Sequence, residues 1–305
     1  MKKILLLLLL AFNIILSQVT TDQVFTTSRS LSMAGSLVSN PSYAESIFFN
    51  PAGLALADSH AFLIGESDHY SLNFLNFSYF SFVLKDTEFS NMGFAIQQFG
   101  TEGTRQDDNG NNENFYLSSE IALSFAQGFS LLNDRNSSLH LGYTVNGFIL
   151  KQAASAGTLG DGTNGLEKKD LYNFGIDVGL LASLRNKMQV GVFIKNINSP
   201  SMGRGSTLQY LPRKLVMGIS YMPIEKLNTH FNLETLLGYK DIHFSFGFEY
   251  RINHMFVLNS GIMIKPNRFG FGFSYSPIKE VVISFGTLTH PVLPVSNSLE
   301  VGFKF

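Results

Sequence analysis

Seven histidines, His60, His69, His140, His230, His243, His254 and His290, are the side chains best suited to move protons or hold a metal in this 305-residue chain. No pair is spaced i, i+4 on a helical pattern, so the two-histidine metal motif is missing. A hydrolytic centre needs a Ser or Asp within hydrogen-bond reach of a His. His243 and Glu249 share one alternating segment, but along an extended chain they stand roughly 20 Å apart. There is no cysteine, which excludes a thiolate metal site, a cysteine nucleophile, a disulfide framework and a lipidated anchor. The glycine-rich string GDGTNG at 160–165 follows no buried strand and opens no long helix, so it reads as an outer loop rather than a phosphate or calcium cradle. The expectation is no catalytic residue, no metal and no cofactor. What remains is a set of scattered charges and histidines: Glu120, His140, Asp177, Lys195, Glu234, His243, Glu249, Glu300 and Lys304, with Arg29 far upstream.

The elements that carry these residues alternate strictly. In 242–250, Ile242, Phe244, Phe246, Phe248 and Tyr250 share one face and His243, Ser245, Gly247 and Glu249 the other. The segments around Phe269–Tyr275 and Leu299–Phe305 repeat the pattern, and successive strand side chains point to opposite faces. Only 15% of residues are charged, against about 25% in soluble domains. Phe numbers 29, Tyr 11 and Gly 27, with no Trp, a composition suited to an alternating membrane barrel. A net charge of -1 lacks the basic footprint of a nucleic-acid binder. After the start no apolar run approaches the ~18 residues of a membrane helix.

Fourteen such segments run from 61–68 to 297–305, among them 71–84, 88–99, 114–129, 187–196 and 212–222. With both ends of the barrel in the periplasm, the four longest connections fall outside and the inner ones are short, with only SLLNDRNSS middling, the usual asymmetry of these barrels. Lys2 and Lys3, the apolar run from Ile4 to Phe12 and the small Ser17 read as a signal peptide over 1–17. The fold class expected is all-β: a 14-stranded antiparallel transmembrane barrel over 59–305 in the bacterial outer membrane. A soluble β-sandwich would share the alternation but not the sorting of loops.

Residues 18–58 do not alternate. Asn40-Pro41 and Asn50-Pro51 each read as a helix N-cap followed by Pro, which needs no hydrogen bond at that position. A barrel of this strand number is wider than its own side chains fill, so the segment is expected to fold inward as a lumenal hatch. The stretch RSLSMAGSLVSNPSYAESIFFNPAGLALA resembles the N-terminal hatch of FadL-like outer-membrane barrels, and the motif Asn50, Pro51, Ala52, Gly53, Leu54, Ala55 matches it letter for letter. The acidic pair of that pattern is replaced by Asn40-Pro41-Ser42, with Glu45 nearby. The order of the last strands is similar to the PorV/PorQ type. The resemblance implies a 14-strand barrel with a lumenal hatch.

Two functions follow as expectations. One is a barrel of PorV/PorQ (FadL-like) type that binds or passes hydrophobic small molecules such as fatty acids. The other is a non-transporting accessory or shuttle component of type IX-like protein secretion. Its partners would be outer-membrane lipid, a hydrophobic ligand or a secretion-system protein, and the outer-membrane assembly machinery during insertion. Arg29, the one basic residue of the hatch, is expected to pair with a lumenal acid, with Glu234, Glu249 and Glu300 as candidates. The resemblance also points to strand 3 for a kink that opens the wall sideways, at Gly93.

Overall fold

The computed structural model describes residues 26–106, 112–154, 167, 169–185, 187–202 and 209–305. The expected signal peptide, the first residues of the expected hatch and the string at 160–165 lie outside them. Fourteen strands close into one barrel. They are β1 (Ala61–Asp68), β2 (Leu75–Lys85), β3 (Ser90–Gln106), β4 (Asn112–Asn133), β5 (Ser137–Gln152), β6 (Lys169–Leu184) and β7 (Met188–Lys195). The second half comprises β8 (Lys214–Ile224), β9 (Leu227–Leu236), β10 (Ile242–Arg251), β11 (Phe256–Ile264), β12 (Arg268–Ile278), β13 (Val281–Leu288) and β14 (Ser296–Lys304). Every neighbour is antiparallel, and β14 pairs back on β1 from Ala61↔Lys304 to Asp68↔Asn297. Closure leaves no unpaired sheet edge, the condition for a sheet to cross lipid.

The period-two pattern decides which way each side chain faces. Inward positions such as Ser81, Thr144, Asp177, Ser220 and Ser245 are buried and small or polar. Outward positions are apolar yet exposed: Ile64 at 52%, Leu123 at 44%, Phe246 at 40% and Phe271 at 54%. Every strand but β9 carries at least one large apolar side chain of this kind. So much exposed apolar surface around a closed perimeter is a lipid-facing belt. Among the described residues no helix is long and apolar enough to cross a membrane, so the strands do the spanning.

Strand existence follows the alternation, and the boundaries deviate where alternation fades. β3 and β4 continue past their expected ends, to Gln106 and from Asn112, as one long outer hairpin. From Thr101 to Gln106 both faces are polar or small, so pairing persists where the pattern no longer announces it. Ser201–Met202 and Gln209–Tyr210 form a short antiparallel pair within the β7–β8 connection, also without a sequence signal.

Residues 26–57 lie inside the barrel. Helix α1 (Ser28–Ser32) packs on β11 to β14, whereas the 3₁₀ helix Pro51–Leu56 packs on β3 to β6 on the other side. One segment touching two sides of a closed wall must occupy the lumen. Its Leu31 and Ala34 bury against Met263 and Leu288, Val38 against Phe193 and Val216, and Ile47 and Leu54 against Phe77, Tyr79 and Val83. Asn50-Pro51 opens the 3₁₀ helix as expected. Asn40-Pro41 caps nothing: helix α2 (Ser46–Phe49) starts later, with Glu45 at its N-cap.

His69, in the outer β1–β2 connection, packs against Phe77 and Phe99 at 5.4 and 6.0 Å between ring centres. Burial lowers its imidazole pKa to about 4. Above pH 6.5 the ring is neutral whether the connection is closed or open, so pH has no effect there. Between pH 6.5 and 4 only the opened form takes up a proton, so the closed connection loses stability as pH falls through that window. Once corrected for the intrinsic slowing of exchange in acid, protection of the amides in 69–75 should fall from pH 7 to pH 5 in the wild type, and His69→Phe should remove that fall.

Candidate functional site

The interior segment fits because the wall is stripped of side chains where it passes. Inward glycines pair across the sheet in runs: Gly128↔Gly142↔Gly179 on β4 to β6, Gly191↔Gly218 on β7 and β8, and Gly247↔Gly261↔Gly270 on β10 to β12. Gly272↔Gly286 continues the row to β13. A Cβ at Gly128 would lie 2.8 Å from Pro51 O, one at Gly191 2.7 Å from Val38 C, and one at Gly286 2.7 Å from Ser28 C. These are main-chain atoms, closer than any real Cβ approaches. Glycine therefore serves here for close backbone approach. Gly147 differs: it faces lipid, and its nearest neighbour would be Leu123 O at 3.9 Å.

Gly93 also faces the interior segment, although through a side chain rather than through main chain. Its added Cβ would meet Ile47 Cδ1 at 2.8 Å, and pairing runs unbroken through Val83↔Gly93 and Gly93↔Ala126. The irregularity in β3 falls instead between Thr101 and Glu102. The missing side chain is filled by the interior segment, so the strand has no local reason to bend there.

The motif at 50–53 is a fastening. Asn50 accepts from Ala52 N at 3.2 Å, satisfying one free donor of the 3₁₀ turn. Its amide donates to Val38 O at 2.9 Å and to Leu180 O of β6 at 3.1 Å. Pro51 and Ala52 lie over Gly142, and a Cβ at Gly53 would press on Pro41 Cγ at 2.9 Å. One buried side chain thus ties turn, preceding loop and wall.

Charge is concentrated at a second fastening. The Arg29 guanidinium reaches Glu249 of β10 at 2.8 Å and Glu45 of its own segment at 3.0 Å, and donates to Asn40 O at 3.2 Å. Burial disfavours the cation, but the two carboxylates outweigh it, and the Arg29 pKa is raised. Glu45 also accepts from Thr27 Oγ1 at 2.6 Å, and Thr27 caps α1. Of the other two candidates, Glu300 accepts from Ser28 N at 2.9 Å and from the Tyr79 hydroxyl at 2.7 Å. Glu234 lies at the outer end and pairs with Lys214 at 3.0 Å, so it plays no part in holding Arg29. Glu45 was missed as a partner, although a signal existed: it and Arg29 are the only charged residues between 26 and 57.

The interior segment separates two cavities. On the outer side a chamber of about 100 Å³ has Val38, Ile47, Phe48 and Phe49 of the segment and Phe193 and Val216 of the wall as its apolar surface. Gln97, Ser124, Asn146 and Asp177 line it too, with Lys195, Lys214 and Glu234 toward the outer ends of their strands. On the inner side a basin of about 490 Å³ is lined by Arg29, Pro41, Tyr43 and Leu56, together with Glu225 and Lys226 of the short β8–β9 turn. Among the described residues no group of His, Asp and Glu is arranged to hold a metal.

No family model and no curated protein matches the chain. Solved structures do. The toluene transporter TodX of Pseudomonas putida superposes with a TM-score of 0.63 at 15% identity, covering 94% of this chain and 99% of that one. The toluene transporter TbuX of Ralstonia pickettii gives 0.62 at 14%, covering 92% and 98%. A FadL homologue of Pseudomonas aeruginosa gives 0.59 at 11%, covering 92% and 98%. The likeness is one of fold, that of the FadL-like outer-membrane barrels, over almost the whole of each chain.

Two pairs of substitutions test the fastenings. Gly142→Leu should prevent seating of the 3₁₀ helix, whereas Gly147→Leu should be tolerated. Loss of the fast-migrating folded band in unheated electrophoresis for the first variant alone is the expected result. Arg29→Ala leaves Glu45 buried without its cation and should lower stability by about 3–5 kcal/mol. The shift of the urea midpoint measures it, and Arg29→Lys should recover part of the loss.

Proposed function

We propose that this chain is an outer-membrane channel that binds hydrophobic small molecules and passes them inward, with residues 18–58 acting as a hatch in a barrel spanning 59–305. The observation that carries the reading is the chamber above the hatch. Its apolar surface is supplied largely by the hatch itself, through Val38, Ile47, Phe48 and Phe49. A ligand buried there touches the element that must move for anything to reach the basin below. Binding energy and opening are thereby coupled in one segment, as a ligand-shifted equilibrium requires. The printed descriptions of TodX and TbuX as toluene transporters support the same class of cargo.

The PorV/PorQ type and the secretion alternative gain no support from these neighbours. An accessory role in secretion would place function at a protein-binding rim, and it offers no reason for an apolar chamber behind a fastened plug. Outer-membrane lipid is the surround that the exposed belt requires. The assembly machinery as a partner during insertion remains part of the proposal.

Liposomes carrying the wild-type protein should not swell in isotonic small sugars, because the hatch fills the lumen. Arg29→Ala liposomes should swell. In lipid nanodiscs, native mass spectrometry should detect toluene bound to the wild type and not to Phe48→Asp, which places a carboxylate on the chamber floor. Rapid swelling with the wild type, or equal toluene binding by both proteins, would refute the reading.

A further inference from the structure

Resting on that reading, we propose that the chamber prefers small, uncharged ligands carrying one hydroxyl group over both hydrocarbons and carboxylates of the same size. Three observations lead there. The chamber is two-sided. Phe48, Phe49 and Phe193 offer ring faces, while Ser124, Asn146 and Asp177 form a buried hydrogen-bonded row on the wall. Ser124 Oγ donates to Asn146 Oδ1 at 2.6 Å, and Asn146 Nδ2 donates to Asp177 Oδ2 at 2.7 Å. Asp177 Oδ1 also accepts from Asn196 N at 2.7 Å. A hydrocarbon that fills the chamber dries the Lys214–Glu234 pair at its mouth, whose side chains are 17% and 28% exposed, without offering a hydrogen bond in return, which is costly. A hydroxyl donates to a carboxylate or amide oxygen and accepts from an ammonium or amide nitrogen, so it satisfies either neighbour.

The second observation is charge balance. Lys195 and Lys214 face the chamber together with Asp177 and Glu234, and Lys214 is held by Glu234 at 3.0 Å. No net field favours an anion or a cation, so a carboxylate gives up its hydration on entry with no net attraction in return. The third is size. The volume of about 100 Å³ falls below the ~150 Å³ of a cavity that takes up benzene. A single ring with one end projecting toward the outer vestibule is the scale, and a long acyl chain is not contained.

The test uses the full-length protein in lipid nanodiscs, with toluene, 4-methylphenol and 4-methylbenzoate as probes and protein-bound mass as the readout. 4-Methylphenol should bind roughly tenfold tighter than the other two, the scale of one added hydrogen bond. Glu234→Gln and, independently, Asp177→Asn each remove one negative charge and should raise 4-methylbenzoate binding severalfold with toluene unchanged. The folded-band assay checks that each variant is a closed barrel. Toluene binding as tightly as 4-methylphenol overturns the inference and leaves the proposed function standing. So does 4-methylbenzoate binding tightest to the wild type. No binding by any probe, with Phe48→Ala making no difference, overturns both.

Discussion

The structure depends on a close approach of two backbones. A chain segment lies across the inner wall of a barrel, and at successive strands the wall gives up its side chains so that main chain meets main chain. Ser28, Met33, Val38, Pro51 and Ala55 each lie where a wall Cβ would stand. Without that row of glycines, the lumen would be obstructed at mid-height by the wall's own side chains and the segment would have no seat. The cost is borne twice, because glycine disfavours strand conformation by roughly 0.5–1 kcal/mol relative to alanine and contributes nothing to burial. Packing of Leu31, Val38, Ile47 and Leu54 against the remaining inward apolar residues offsets it.

Charge is used sparingly and to a related end. The interior segment has one cation and one carboxylate, and both go into one cluster with a wall glutamate. A buried pair of this kind is weak as a source of net stability but severe when half of it is lost. It therefore defines position more than it adds energy. Arg29 ties the start of the segment to its middle through Glu45 and to β10 through Glu249, while Asn50 ties the end to β6. The segment is thus fastened to opposite walls by polar groups and seated between them by apolar ones.

The barrel was legible because a two-sided strand in lipid must alternate without lapse, so Phe244, Phe246 and Phe248 or Phe269, Phe271 and Phe273 leave little choice of structure. The extension of β3 beyond Gly100 was not, since from Thr101 to Gln106 its residues are all polar or small. The glycines are visible in the sequence, but their role is not. In one sequence a glycine that seats a neighbour and a glycine that kinks a strand look alike, and nothing in the sequence places Ile47 beside Gly93. Their meaning appears only when the register brings Gly128, Gly142 and Gly179 side by side. Glu45 is legible by a different route: a buried segment with a single arginine must neutralise it, and Glu45 is the segment's own carboxylate.

The two fastenings are not equivalent with respect to the chamber. Arg29 and its carboxylates border the inner basin, whereas Val38 and residues 47–49 border the outer chamber. A ligand on the outer side therefore cannot compete directly for the ion pairs. On the proposed function it would act on Val38 and α2, and the Asn50 amide holds Val38 O and follows directly on Phe49. Any displacement of α2 would strain this amide, because it is shared between Val38 O of the segment and Leu180 O of β6. Glu45 is the N-cap residue of α2, so the same displacement reaches the Arg29 cluster from within the segment. The chain of contacts from chamber to basin thus runs through one short helix, with a hydrogen-bonded fastening at its end and an ionic one at its start.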